Sequence, residues 1–404
     1  MIYMNKKVSL GICISLVIIA ITASFAVTMV ISSRIYDGII SGLSQRAINF
    51  KSVEEIDKIV FDNFYGNVDG SNSLSESLAE GYINGLGDRN SRYLNSEEFA
   101  EYTTKLEGGV TGIGVETAFD YRTGDFVITH VYAESPAEKA GLKELDIITA
   151  IADIPVDRMN YSMLRENLYG SRLTAVKVEY ERDGETKVVE PMLGFKIPSV
   201  SGRVESNVGY IKIRGFYKNT ASEFKAEADR LIEQGAESFI LDVRGTSEGT
   251  VEYAAQVIDV IVPAIQGNIA VLKDENGNIY KNMIYTAENS SIIMPYIVLI
   301  NEQTSGPAEL FACDLRDISQ AQLVGKKTAG VGTIQEKFPL DNGGAALITV
   351  ALVEPKNGAD AIYHEKGVEP TIDVSLVTGS EIDVDLLTDE QDNQFKTAFD
   401  MLAA

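Results

Sequence analysis

Between Asn301 and Gln335 the chain places the elbow hydroxyl of Ser305 and two amines, Lys326 and Lys327, within a single stretch. A serine hydroxyl attacks a carbonyl when a base takes its proton, and a neutral, partly desolvated lysine can be that base. The apolar run Tyr296–Ile300 is too short for an independent helix and predicts a strand buried on both faces. A polar elbow follows over 301–307, then a helix over 308–319. A short strand over 322–325 leads to the glycine loop 330–332 and to Gln335. Strand, tight elbow and helix lift a nucleophile out of an α/β sheet and aim backbone N–H groups at a reacting carbonyl. Everything that geometry needs is expected here except the reactive side chains in their usual places. A shifted Ser305–Lys327 pair is the substitute to weigh.

The other candidate groups carry less. His130 and His364 are the right type for a Ser-His-Asp site, yet neither adjoins a serine elbow. Cys13 lies in an apolar segment and Cys313 in the helix after the elbow, so no disulfide framework follows. Cys313 reads as a small buried apolar residue. Two His and two Cys, none at ligand spacing, predict no metal. The fingerprint GxGxxG is absent, and no Lys-Ser/Thr follows the Gly108-Gly109 pair, so no cofactor is expected. The formal charge of −24 argues against a nucleic-acid partner, which would require clustered Lys and Arg.

These residues need elements to position them. Residues 8–31 form an uncharged run of 24, which as a helix would span roughly 36 Å and so cross a bilayer core of about 30 Å. Lys6 and Lys7 precede it, which predicts a cytoplasmic N-terminus and an extracytoplasmic bulk. The run is long for a signal peptide and lacks a clear small-x-small cleavage site, so an uncleaved anchor is expected. Residues 35–106 read as helical, for packing or self-association. From 107 to 193 strands alternate with short helices over 135–142 and 161–169. The glycine-rich start, Gly108 to Val115, suits a nest of N–H groups that captures a peptide carboxylate while the peptide adds as a strand.

The order GIGV, SPAEKAGLKELDIITAI and MNYSMLRENLYG resembles a bacterial PDZ domain of the C-terminal processing peptidases. The resemblance implies that Gly112, Ile113, Gly114 and Val115 form the carboxylate-binding loop. It also implies that Leu164 and Leu168 line the pocket for the last peptide side chain; plain core is the competing reading. Leu145 stands where the family has glycine. Further on, GYIKIRGF, then SFILDVR, residues 294–335, and Gly367-Val368-Glu369-Pro370 extend the match over nearly all of the chain after the apolar run. The implied architecture is an α/β mixed-sheet peptidase core over 194–380 with an inserted PDZ domain over 107–193. A helical N-terminal region over 35–106, a stub and transmembrane anchor over 1–34, and an acidic C-terminal helix over 381–404 complete it.

The family's elbow reads SASASE or TASAAE, with the nucleophile three residues before the glutamate. Here the glutamate is Glu309 and the nucleophile position is Gly306. The family's base lies in TxGKGxxQ, which places it at Val331, and Gln335 is the residue that would orient it. Gly249 matches a glycine of the loop that helps stabilise the oxyanion, but Glu248 replaces a neighbouring glycine and puts a carboxylate near a developing negative charge. The sequence therefore implies a degenerate peptidase that binds protein C-terminal tails, pairs with itself or regulates an active paralogue. The alternatives are an active serine-type endopeptidase relocated to Ser305, and a structural envelope protein.

Overall fold

The computed structural model describes residues 10–66, 72–170, 173–263, 268–288, 292–377 and 383–403. The chain divides into two units, residues 1–75 and 76–404. In the first, a 54-residue helix runs Leu10–Asn63. The expected membrane-spanning helix gains no support there. Among the described residues no helix is long and apolar enough to cross a membrane, and the 8–31 run lies partly outside them.

The second unit holds two sheet systems and a PDZ-like domain. Its central sheet orders the strands Val200–Glu205, Val208–Ile213, Ser238–Asp242, Tyr296–Ile300, Gln322–Gly325 and Ile372–Asp373. The first pair is antiparallel and the rest are parallel. Alternate residues of one strand serve two cores. Phe239, Leu241, Val298 and Ile300 pack against a layer that includes Phe224, Val257 and Phe311. Ile240, Ile297 and Leu299 pack under Phe395 and Ala398 of the C-terminal helix Asn393–Ala403. That double burial is why the run at 296–300 is apolar throughout. A second, antiparallel sheet joins Arg92–Leu94, Ala345–Pro355, Asn268–Lys273, Ile279–Thr286 and Thr333–Pro339.

The PDZ-like domain is an antiparallel sheet of Val115–Asp120, Asp125–Val131, Ile147–Ile151, Val178–Arg182 and Glu185–Val189, with Ile154–Pro155 beside it. Glu116 ties this domain to the core by pairing with Arg214 at 2.6 Å. Leu145, the departure from the family pattern, is 80% exposed and has φ of 69°, a left-handed conformation that a Cβ disfavours. Its N–H still donates to the Ile128 carbonyl at 2.8 Å. Leu145→Gly is therefore expected to stabilise the chain by about 0.5–1 kcal/mol, the relief of left-handed strain less the added unfolded-state entropy. A urea midpoint that stays put or falls would refute it.

Candidate active site

The elbow is built from backbone constraints. At the end of strand Tyr296–Ile300, the Asn301 Oδ1 accepts from the N–H groups of Gly245 at 2.9 Å and Thr304 at 3.1 Å. Thr304 is fully buried and donates its hydroxyl to the Val243 carbonyl at 2.9 Å. Ser305 N–H reaches the Thr246 carbonyl at 2.9 Å. Gly306 then sits at φ 58°, ψ −117°, and the helix Pro307–Ser319 begins. This is the sharp strand-to-helix turn of a nucleophile elbow. A side chain there carries strain of about 1–3 kcal/mol, which glycine avoids. Space is available, since an added Cβ would meet only the Ser247 carbonyl, at 3.9 Å.

Glu309 joins the two positions where the reactive groups are missing. It is fully buried one turn into the helix. Its Oε2 accepts from the N–H of Gly306 at 3.0 Å and of Val331 at 2.7 Å. The backbone N–H groups of positions 306 and 331 thus converge on one carboxylate oxygen. Oε1 accepts from the Gly330 N–H at 2.6 Å and from the Thr328 hydroxyl. Burial pushes the Glu309 carboxyl above its ordinary value, against the pull of these four donors. The loop is further clamped by Gly330 and Gly332, which lie against the backbone of residues 364–367. Gln335 survives without a lysine to orient, and its amide donates to the hydroxyls of Thr333 at 2.9 Å and Thr349 at 3.1 Å.

The loop at 248–250, where the resemblance implies oxyanion donors, is held by backbone contacts. Phe216 bridges it, donating to the Glu248 carbonyl at 2.9 Å and accepting from Thr250 at 3.0 Å. The N–H of Gly249 takes no part in that bridge. Gly249 has φ of 109°, and a Cβ on it would lie 2.0 Å from the Phe216 carbonyl, so only glycine fits. The carboxylate of Glu248 is drawn to Lys105 at 3.0 Å.

The substitute pair is not assembled. Lys327 pairs with Glu369 at 2.7 Å, and Lys326 pairs with Asp373 at 2.6 Å. The hydrogen bond that Lys326 donates to Asp373 raises the lysine's pKa, the wrong direction for a base. Of the histidines, His130 bonds Glu144 at 2.8 Å, far along the PDZ sheet. His364, the other candidate, adjoins no serine in sequence but packs against the glycine loop. Its Cβ abuts Gly332, and its Nδ1 is buried without a hydrogen-bond partner. Cys313 is buried, and burial pushes its thiol well up, so it is no thiolate nucleophile. Among the described residues no cluster of His, Cys, Asp and Glu could hold a metal ion.

In the PDZ-like domain the carboxylate loop and the two leucines are adjacent. The Ile113 N–H donates to the Leu168 carbonyl at 3.0 Å, which closes that amide. Ile113, Leu164 and Leu168 are all fully buried in the domain core with Val115 and Phe119. Gly114 has φ of 90°, and a Cβ on it would strike the Ser135 Cβ at 2.3 Å. Gly112 faces the Leu168 carbonyl just as closely.

Comparisons with known proteins bear on the fold and the family. A model of peptidase family S41 matches residues 207–374, and a PDZ domain model matches residues 109–191. The chain is 29% identical over 317 residues to the carboxy-terminal processing protease CtpA of Bacillus subtilis, covering 78% of this chain and 66% of that protein. It is 28% identical over 322 residues to the carboxyl-terminal-processing protease of Synechocystis, covering 77% of this chain and 73% of that one. The chain thus spans about two thirds of the length of the first of these relatives and somewhat more of the second. The fold is similar to a solved S41 protease from Bacteroides fragilis, with a TM-score of 0.54 at 17% identity, over 84% of this chain and 91% of that one. Elbow, base loop and glycine loop in one α/β core, behind a PDZ domain, place this chain in peptidase family S41, among the C-terminal processing peptidases.

Proposed function

We propose that this chain is a degenerate member of its family, a pseudo-peptidase that binds protein C-terminal tails without cutting them. One observation carries the reading. Gly306 and Val331 hold the nucleophile and base positions on a shared Glu309 oxygen, and neither has a reactive group. The lysines that would have to replace the base are held in ion pairs with Asp373 and Glu369.

Tail capture falls to the PDZ-like domain, at Gly112 to Val115. Because the Ile113 amide is engaged by Leu168, binding requires this loop to open or to use its other amides. The uncharged run at residues 8–31 supports a membrane anchor with the bulk outside the cell. Self-association or pairing with an active paralogue follows as the natural use of a tail-binding module without its own chemistry.

The test uses the full chain in detergent, incubated with an unfolded, alkylated protein. It is expected to leave that protein intact. It is also expected to bind a peptide ending in an apolar residue at least tenfold more tightly with a free carboxylate than with a C-terminal amide. Cleavage abolished by Ser305→Ala would replace this reading with a relocated active site. Equal binding of carboxylate and amide would remove the tail-binding half. Substituting Gly114 is a poor test of binding, since the clash with Ser135 would disturb the domain itself.

A further inference from the structure

The residue after the elbow position is Pro307, the first residue of the helix. In a strand–elbow–helix site the N–H that follows the nucleophile is one of the donors aimed at the oxyanion. Proline has no N–H. As a helix element Pro307 is well placed, because the first helical amide lacks an intrahelical acceptor and the fixed φ suits the turn. The same substitution that costs the fold nothing therefore removes a donor from the chemistry.

Neighbouring amides do not replace it. The Ala308 N–H is turned to the Ser305 carbonyl at 3.2 Å, and the Glu309 N–H to the Gly306 carbonyl at 3.0 Å. The Gly306 N–H is taken by the Glu309 carboxylate. That leaves Gly249, whose N–H is outside the Phe216 bridge, as the donor that remains of the pair.

We infer that Pro307 is a third lesion of the catalytic site, so that restoring the serine and lysine alone leaves the chain with half an oxyanion hole. This rests on Gly306 being the nucleophile position. In the restored reaction the new hydroxyl at 306 bonds to the substrate carbonyl carbon, and its proton passes to the new amine at 331. The carbonyl π pair moves onto oxygen, where Gly249 and the amide of residue 307 would share it. Collapse of that oxyanion breaks the C–N bond, and the ammonium at 331 returns its proton to the leaving amine.

The experiment compares two full-chain variants, Gly306→Ser/Val331→Lys and the same pair with Pro307→Ala. Pro307→Ala alone is the folding control. With a peptide substrate the triple variant is expected to exceed the double by 10²–10³-fold in kcat, with KM nearly unchanged, which is the effect of one oxyanion donor. A second readout is acylation by an activated ester, which needs the donors more than the base. A purely structural role for Pro307 would shift unfolding midpoints and leave the kcat ratio near one. If the triple variant gains over the double with neither substrate, the inference is overturned. The pseudo-peptidase reading fails on a different result, cleavage by the unsubstituted chain.

Discussion

Glu309→Ala is expected to lower the unfolding free energy by about 4 kcal/mol, measured as a shifted midpoint in urea. The alanine leaves four donors without their acceptor: the amides of Gly306, Gly330 and Val331, and the hydroxyl of Thr328. Each orphaned buried donor costs about 1–3 kcal/mol. Water entering the space left by the carboxylate would recover part, which sets the expectation below the full sum. The damage spreads, because the Thr328 hydroxyl also accepts the Val368 N–H at 2.7 Å. Glu309→Gln separates the causes. Its amide would turn an N–H toward other N–H donors, so it should lose most of what alanine loses if hydrogen bonding is responsible. If filling space were responsible, glutamine would be nearly neutral. A midpoint shift below 1 kcal/mol in alanine would show that the carboxylate does not hold the two loops together.

That result would bear on what holds the elbow and the loop at 328–332 in place. The contacts that hold the elbow and base loop are almost all backbone contacts with Glu309, Asn301 and Thr304. None needs a serine or a lysine. A frame held in this way needs no hydroxyl at 306 and no amine at 331. Glycine at 306 even removes the strain of a side chain at positive φ.

The legible parts of the sequence were those whose signals are local. The run at 296–300, the elbow, the helix Pro307–Ser319 and the strand Gln322–Gly325 carry their own hydrophobic pattern and turn chemistry. That Glu309 draws the amides of positions 306 and 331 to one oxygen was not read from the sequence. What depended on long-range pairing was not legible. The second sheet sets Arg92–Leu94 against residues 345–347, across some two hundred and fifty positions of chain, and nothing local marks that. The same holds for Lys326 and Lys327, whose partners Asp373 and Glu369 lie on a later segment. The expected C-terminal helix over 381–404 is helical from Asn393 to Ala403, preceded by the short 3-10 turn Val384–Leu386. Pro307 was visible from the start. It reads as helix punctuation, and only the inferred role of position 306 as nucleophile position gives its missing N–H a chemical meaning.

Arg244→Ala is the other large loss, about 3–5 kcal/mol, and its dependence on pH identifies the cause. Arg244 is buried at the end of strand Ser238–Asp242. It pairs with Asp242 at 2.7 Å and Asp392 at 2.7 Å, and donates to the Gln394 Oε1 at 3.0 Å. It thereby fastens the strand before the oxyanion loop to the C-terminal helix. Removing one member of a buried charge network costs this much because the others are left unpaired. Arg244→Lys would recover little, since an ammonium cannot span three acceptors as the planar guanidinium does. Burial pushes the Asp242 carboxyl up, but the charges of Arg244 and Lys212 and the hydrogen bonds from Arg244 hold it well below the ordinary range. A depressed folded value stabilises above the unfolded value of about 3.9, and that contribution is lost as pH falls through it toward the folded value. Without Arg244 the carboxyl loses its main counter-charge and takes up its proton at higher pH. The deficit of the variant should therefore be largest near pH 7 and shrink on acidification toward pH 4, as protonation relieves the unpaired charge in the variant while the parent keeps its pair. Urea unfolding of both proteins across that range decides it. A deficit that stays constant with pH would mean Arg244 contributes through packing alone.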